Sequence, residues 1–447
     1  MCPPCSVRAE VPFRVARRSL FGQKHLGDVP RPEFFEERPG GLARGWWARR
    51  CRRPGLEPEP SAVRGEPEGG ADRGRDFGAM PVVRKGLPRQ AVNRRILEFR
   101  NQVKDGRKNR ARWVLHDVSL LAVSPQAKPF VSMHKPLHFL LPGGTGQAGM
   151  LLSSALRREG HRVTILSRQP KNPEEIPWDG IHPGPWTELL EEADVVINLA
   201  GRSVNCRYHP AQRREILESR VLSTRVLGEA IAAARRPPAL WLQSSTATIY
   251  AHTLGPAHGE DGMLGGEEPG VPETWKFSVE VAKAWEAAAV ERQRPDTRLV
   301  LMRTSFILSP HRGGALDVLL GLARKGLGGT QGSGRQFVSW IHETDFVRAI
   351  QWIVSKSEIS GPVNLASPYP LPNREFMKDI RKAARHPFGV PAPRWMLELG
   401  AFAMGTETEL ILKSRRVVPS KLLKSGFLFR YPHLPQALAE LASRTKC

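Results

Sequence analysis

Residues 137–149 of this 447-residue chain read LHFLLPGGTGQAG, and this stretch decides the fold. The apolar run before Pro142 has the length of a buried strand, and an amphipathic helical pattern follows at 150–159. Between them, three glycines stand at the spacing G-x-x-G-x-x-G: Gly143, Gly146 and Gly149. A strand, a tight glycine turn and a helix in this order predict a dinucleotide-binding βαβ unit, because glycines let the backbone approach a pyrophosphate closely. The N-terminus of the helix then favours the phosphate charge.

Strands and helices alternate along the rest of the chain. Predicted strands lie at 162–166, 194–201, 239–243, 298–303 and 363–365, with an extended piece at 336–341. Predicted helices lie at 186–191, 211–234, 276–294, 315–325 and 343–356. This alternation is typical of an α/β Rossmann fold, a doubly wound parallel sheet with helices on both faces. We expect segments of the C-terminal half to build a small substrate lobe beside it.

Composition divides the chain into three predicted regions. Residues 1–132 are a basic, low-complexity extension, which we expect to be disordered because it holds too little apolar surface to offset ordering; within it, 90–103 has the pattern of a short amphipathic helix. Residues 133–390 are the predicted Rossmann domain with its substrate-lobe segments. Residues 391–447 are predicted as a small, mainly helical C-terminal domain with one short strand at 426–429.

The net charge of +23 is unevenly distributed. Residues 1–132 carry about +13 of it and the other 315 residues about +10, so the extension is the more basic part. The extension is either an arm that binds nucleic acid or, as we favour, a disordered extension. The body is only moderately basic, which suits an anionic cofactor. We therefore regard nucleic acid as an unlikely partner and expect a small-molecule substrate.

The compartment is predicted from what the sequence does not contain. The longest apolar runs fall short of the roughly 18 residues that a membrane span needs. The N-terminus has no apolar signal core, and five cysteines are too few for a disulfide framework in a chain of this length. We therefore expect a cytoplasmic protein without a membrane anchor or a bound metal. The sequence leaves the oligomeric state open.

The predicted cofactor is NADP. The second strand ends Leu166-Ser167-Arg168, without the carboxylate that binds the ribose hydroxyls in NAD-preferring sites. A guanidinium pairs with the 2′-phosphate of NADP in a fork, although a solvated arginine at a strand end is also common. The residues predicted to bind the cofactor follow four strand ends: Gly143, Thr145, Gly146, Gln147, Ala148, Gly149, Arg168, Leu199, Ala200, Gly201 and Ser244.

Several stretches together resemble a known family. The glycine loop, the N-x-A-G element at 198–201 and the segment SSTATIY at 244–250 resemble extended short-chain dehydrogenase/reductases. The run GSGRQFVSWIH at 332–342 and the tail at 417–441 resemble an atypical group of these, called epimerase family protein, with a C-terminal domain of unknown function. The resemblance covers about 137–444. Pro142, where the superfamily usually has Thr, departs from the pattern.

The resemblance implies an NADP-binding oxidoreductase or epimerase-like protein, and it places Thr246 where the superfamily has a catalytic Ser or Thr that hydrogen-bonds the substrate oxygen. The superfamily's Tyr-x-x-x-Lys pair is absent from the chain, and its expected positions hold Ser278 and Ala282. Tyr250 is a candidate proton donor in its place; alternatively it only walls the nicotinamide pocket.

The missing pair leaves a second hypothesis open beside the enzyme. The chain is then a non-catalytic NADP-binding regulator, and some family members are linked by name to division. Nucleic-acid binding through the basic extension is a third hypothesis. Among the other polar residues, His342, Asp345 and Arg303 each have a catalytic and a structural interpretation, and Arg220 is more simply explained as an anchor of its helix.

Overall fold

The structure is a computed structural model that describes residues 135–311 and 313–444. The predictions for the basic extension at 1–132 and for its helix at 90–103 lie outside the described residues. Within the described ranges, no helix is both long and apolar enough to cross a membrane. The predicted boundaries of the three regions stay predictions.

A seven-stranded parallel sheet forms the centre of the fold, in the order β10-β6-β5-β4-β1-β2-β3. This order confirms the doubly wound Rossmann prediction, with the reversal of strand order between β1 and β4. The strands, in chain order, are β1 (His138–Pro142), β2 (Arg162–Ser167), β3 (Glu175–Pro177), β4 (Val195–Asn198), β5 (Leu240–Thr246), β6 (Arg298–Thr304), β7 (Phe306–Leu308), β8 (Phe337–Val338), β9 (Trp340–His342), β10 (Gly361–Leu365) and β11 (Leu371–Pro372).

Helices cover both faces of this sheet. The α-helices are α1 (Gln147–Arg158), α2 (Pro210–Ala233), α3 (Glu273–Val290), α4 (Ala315–Arg324), α5 (Glu343–Ser355), α6 (Asn373–Ala383), α7 (Arg394–Ala403), α8 (Glu409–Leu412), α9 (Ser420–Lys424) and α10 (Leu434–Arg444). Short 3₁₀ helices span Pro185–Glu191 and Ala247–Ile249.

Two apolar layers hold the helices to the sheet. On one face α1 and α5 bury Leu152, Leu156 and Ile350 against the strands. On the other face α2 and α3 bury Leu227 and Ala289 against β4 and its neighbours. Fully buried parallel strands need apolar side chains on both faces, which is why they read as nearly continuous apolar runs in the sequence.

A third apolar cluster lies beside the sheet and joins distant parts of the chain. It packs α4 and α6 against the C-terminal helix α10, through side chains such as Leu320, Phe376 and Leu438. The two short sheets, β7 with β9 and β8 with β11, border this cluster. These segments are the predicted addition to the Rossmann core, and they come from the C-terminal half of the chain as expected.

The strand predicted at 426–429 is wrong. Residue Gly426 has φ of +86° and ends α9, and the N–H of Phe427 returns to the carbonyl of Leu422. The alternation in the sequence is real, since Phe427 is buried and Leu428 is 78% exposed. The carbonyl of Leu428 bonds to the side chain of Arg348 instead of to a neighbouring strand. Alternation therefore reports one-sided burial and does not by itself make a strand.

The glycine turn after β1 depends on backbone contacts that leave no room for side chains. A Cβ atom on Gly149 would lie 2.1 Å from the carbonyl oxygen of Gly144, and one on Gly143 would lie 2.7 Å from the Cα of Ala200. Gly143 also has φ of +73°, which L side chains rarely adopt. The first helix and the end of β4 can approach the turn only because these positions are glycines.

Gly149→Ala should therefore lower the free energy of unfolding by roughly 1–3 kcal/mol, because the turn and α1 must move apart to accept the methyl group. Urea denaturation measures the change. Gly400→Ala is the matched control, since its Cβ meets nothing within 4 Å in α7 and the helix gains up to about 1 kcal/mol in propensity. Equal effects of the two substitutions would contradict this account of the turn.

Candidate cofactor and active site

A cavity of about 460 Å³ opens at the carboxyl ends of β1, β2 and β4. Ligands of open α/β sheets bind at this edge. The connections after the two central strands run to opposite sides of the sheet, and a crevice forms between them. Seven of the residues predicted to bind the cofactor line it: Gly143, Thr145, Gly146, Arg168, Leu199, Ala200 and Gly201.

The remaining predicted cofactor residues lie beside the cavity. Gln147, Ala148 and Gly149 form the first turn of α1, and the preceding residue, Gly146, offers no side-chain cap to the helix N-terminus. A helix that starts this way presents backbone N–H groups toward an anion at the turn. Ser244 lies in β5, opposite Met302 of β6, and is not among the lining residues.

Sequence reasoning missed the residues of α2 that line the cavity, and it also missed a further wall, the segment 178–181. Its Asp179 accepts hydrogen bonds from the N–H groups of His182 and Ile181 and from the His182 ring, and these bonds lower the pKa of Asp179 to about 2. The Asp-Gly pair at 179–180 is a turn signal in the sequence. A turn signal does not tell which surface the turn approaches, so only the folded chain reveals this contact.

The loop after β4 is shaped by a buried amide. The Asn198 side chain is fully buried; its nitrogen donates to Oε1 of Gln243 (2.9 Å), and its oxygen accepts the N–H of Ala200 (3.1 Å). The second bond turns the chain directly after the strand. The N-x-A-G element thus holds the backbone of 199–201 against the glycine turn.

Of the two predicted catalytic residues, Thr246 ends β5 and Tyr250 follows the 3₁₀ helix after it, and neither is among the residues that line the cavity. Thr246 is partly buried, and its hydroxyl accepts the N–H of Thr248 (3.2 Å). Tyr250 is only 1% exposed. Its hydroxyl donates to Asn364 (2.8 Å) and accepts from Arg303 (2.9 Å), and burial raises its pKa. A buried hydroxyl with both partners in place argues against Tyr250 as a proton donor.

The charge beside Tyr250 belongs to an internal ion pair. Arg303 of β6 makes two bonds of 2.8 Å to Glu286 of α3, and Ser245 donates to the same carboxylate (2.5 Å). Burial alone would lower the pKa of Arg303, but the bonds to Glu286 outweigh it and raise the pKa. A bidentate, buried pair of this kind connects β6 to α3, so the structural interpretation of Arg303 is confirmed.

The structural interpretation also holds for the pair at the start of α5. Nδ1 of His342 accepts the N–H of Thr344 (3.1 Å), which caps the helix. Asp345 is fully buried and accepts the N–H groups of Arg430 (2.8 Å) and Tyr431 (2.7 Å). These bonds fasten the C-terminal tail to the helix N-terminus.

The C-terminal segment 409–417 covers the face of α3 where the superfamily has its Tyr and Lys. At the expected tyrosine position, the Ser278 hydroxyl donates to Glu409 (3.2 Å). At the expected lysine position, Ala282 is buried in one cluster with Val417. Close by, Lys413 is 2% exposed and donates to the carbonyl of Thr248 (2.7 Å).

Two family models match the chain. The model of the NAD dependent epimerase/dehydratase family matches residues 139–366, which include the whole parallel sheet except the first residue of β1. The chain belongs to the NAD-dependent epimerase/dehydratase family. A second model, a domain of unknown function called DUF1731, matches residues 392–441. Together the two matches confirm the family that the sequence resembles.

Relatives in this family are similar along nearly their whole length. The epimerase family protein YfhF of Bacillus subtilis is 32% identical over 69% of this chain and 99% of its own. The epimerase family protein SDR39U1 of Bos taurus is 32% identical over 68% of this chain and 99% of its own.

Solved structures of the family have the same fold. The human epimerase family protein SDR39U1 (isoform 2), crystallised with NADPH, is 30% identical with a TM-score of 0.60, over 69% of this chain and 99% of that one. A nucleoside-diphosphate sugar epimerase from Corynebacterium glutamicum is 29% identical with a TM-score of 0.56, over 69% of this chain and 59% of that one.

Lys413→Met should change how stability depends on pH. Burial, together with the nearby Arg415, lowers the pKa of Lys413 to about 8, below its usual 10.5. The cost of burying the charge is therefore fully present below pH 8 and disappears as the pH rises to about 10.5. The free energy of unfolding of the wild type, measured relative to Lys413→Met, should rise by roughly 3 kcal/mol across that window.

Urea denaturation at pH 7, 8, 9 and 10.5 provides the comparison. Lys424→Met, at an exposed position of α9, supplies the baseline for removing a surface ammonium. A difference between wild type and Lys413→Met that stays constant with pH would show that the ammonium is not desolvated in the folded protein.

Proposed function

We propose that this epimerase-family protein binds NADPH and acts as an oxidoreductase or epimerase-like enzyme on a small carbonyl or hydroxyl compound. The observation that carries the proposal is the cavity in which the glycine turn, Arg168 and residues 199–201 meet. The glycine contacts support the fit of a dinucleotide, because a Cβ at Gly143 or Gly149 would close the cradle. The human relative crystallised with NADPH supports the same cofactor class.

NADP is proposed over NAD because of the charge at the end of β2. Arg168 lines the cavity and is exposed, so its guanidinium is free of the packing constraints that fix Arg303. Three acids line the cavity: Asp179 already accepts three hydrogen bonds from its own turn, Glu215 pairs with Arg202 (2.6 Å), and Glu218 lies on α2 rather than at the end of β2. Arg168 therefore offers a phosphate partner at the position where an NAD-specific site has a carboxylate.

When bound, the nicotinamide supplies the hydride, and the protein binds and orients the reactants. We assign Thr246 the role of a hydrogen-bond donor to the substrate oxygen, since it ends β5 on the ligand-binding edge of the sheet. The hydroxyl accepts a backbone N–H, so its own proton is available to a substrate. Tyr250 is better explained as a positioning residue that holds the end of β5 to β6 and β10.

A second candidate is a non-catalytic NADP-binding regulator. It is favoured by the covered face of α3, where Ser278 and Ala282 contact the C-terminal segment in place of a Tyr–Lys pair. No residue of the protein then performs the proton transfer that the Tyr–Lys pair performs in the superfamily. A regulator would bind NADPH in the same cavity without turning it over.

The fluorescence of the NADPH nicotinamide should increase when NADPH binds to the purified full chain. A titration that follows this increase gives the Kd. Arg168→Ala should weaken NADPH about 10- to 100-fold and leave NADH unchanged, because an ionic hydrogen bond to the 2′-phosphate is worth about 1.5–3 kcal/mol. Arg324→Ala, an exposed arginine at the end of α4, is the control. Absence of any NADPH binding by the wild type would refute the proposed function.

Turnover separates the two candidates. NADPH consumption with a panel of small aldehydes, ketones and quinones should fall about 100-fold in Thr246→Ala, since a lost donor to the developing oxyanion has an effect of that size. Thr246→Ser keeps the hydroxyl and should retain most of the rate. A wild-type protein that binds NADPH but consumes it with no member of the panel favours the regulator over an oxidoreductase.

A further inference from the structure

Helix α7 turns its apolar face outward. Trp395, Leu399 and Phe402 stand at positions i, i+4 and i+7, so they share one face of the helix, and they are 66%, 63% and 72% exposed. The only buried residue of α7 is Ala401. A surface helix normally turns such a stripe toward the core, because the burial of apolar area stabilises the fold. An outward stripe of three large side chains indicates a surface that binds a partner.

More exposed apolar side chains precede α7 in the chain. Phe388 and Val390 are exposed, and so is Leu327 in the turn after α4. The N–H of Val390 donates to the carbonyl of Gly326 (2.8 Å), and a Cβ on Gly326 would lie 3.6 Å from the Phe388 ring. The two segments therefore form one apolar patch, and the chain continues from it directly into α7.

Basic side chains stand beside this patch. The guanidinium of Arg381 in α6 donates to the carbonyl of Gly328 (2.8 Å), which brings the C-terminal ends of α4 and α6 together. These two helix ends carry four exposed cations: Arg324, Lys325, Lys382 and Arg385. Of these four, Lys382 is paired with Asp379 (3.4 Å). The patch of Leu327, Phe388 and Val390 and the four cations together form what we call the basic-apolar surface.

Apolar side chains among cations fit an anionic lipid surface. Aromatic and aliphatic side chains enter the boundary between headgroups and acyl chains, while Lys and Arg meet the anionic headgroups. A second copy of this chain is a poorer partner, because it brings the same cations and residues 133–447 carry a net charge of about +10. The ten residues of α7 are roughly 15 Å long, so the helix fits in the plane of a membrane surface and is too short to cross it.

We propose that the basic-apolar surface attaches this protein to membranes that contain anionic lipids, with Phe388 and the exposed face of α7 in the headgroup layer. The attachment is peripheral. The sequence predicts no membrane anchor because that prediction rests on long apolar runs, which a surface helix of ten residues does not need. The inference is independent of the proposed function, since none of the residues that carry it lines the cofactor cavity.

Sedimentation of the full chain with lipid vesicles at physiological salt tests the attachment. The wild type should bind vesicles of phosphatidylcholine and phosphatidylserine about 10-fold or more tightly than vesicles of phosphatidylcholine alone. The double variant Phe388→Ser/Trp395→Ser should bind the mixed vesicles about 10- to 100-fold more weakly, because two apolar anchors are lost. The double variant Lys382→Gln/Arg385→Gln should lose about 5-fold for each cation, or about 30-fold together.

Matched controls remove the same chemistry at exposed positions elsewhere. Met263→Ser/Leu428→Ser and Arg158→Gln/Lys424→Gln should bind the mixed vesicles as the wild type does. All four double variants should keep the wild-type Tm, because the substituted side chains are exposed.

Three results would overturn the proposal. The first is the absence of vesicle binding by the wild type. The second is equal binding by the wild type and either surface variant, which would assign the attraction to other cations, such as those of residues 1–132. The third is a concentration-dependent dimer that Phe388→Ser/Trp395→Ser abolishes while vesicle binding stays unchanged, which would make this surface an interface between copies of the chain.

Discussion

Close contact between backbones at the glycine turn is the constraint on which the rest of the site depends. Gly149 brings α1 against Gly144, and Gly143 brings the end of β1 against Ala200 of the loop after β4. The two sides of the switch point thereby approach each other, and the cavity forms over their line of contact. A side chain at either glycine would separate α1 or the β4 loop from the turn. The candidate cofactor cavity thus depends on the absence of side chains at these two positions.

The C-terminal module, residues 392–441, is joined to this core by buried polar contacts as well as by apolar packing. Asp345 holds the backbone at 430–431, and Lys413 reaches the carbonyl of Thr248 beside the predicted catalytic strand end. Such contacts are directional, so they fix where the module lies. The same C-terminal part of the chain contacts Ser278 and Ala282 on α3, the two positions at which the superfamily is expected to have its Tyr–Lys pair.

Much of the fold follows from local patterns. Apolar runs, glycine spacing and helical periodicity locate six of the seven strands of the parallel sheet, because buried parallel strands need nearly continuous apolar side chains. The failures are instructive. The three-residue strand β3 at the sheet edge is too short to show a period, and residues 426–429 alternate because Phe427 is buried by neighbours remote in sequence. Short-range patterns report burial, and they do not report which chain segment provides the partner.

The sequence by itself determined the family, the Rossmann fold and seven of the residues that line the cavity, in the glycine turn, at Arg168 and at 199–201. These features depend on neighbouring residues and their spacing. Only the tertiary structure decided what single polar side chains do. Tyr250 meets Asn364 across 114 positions, and Arg303 meets Glu286 across 17. Partners of buried charges come from elements brought together by packing, and their identity is therefore absent from any local stretch of sequence.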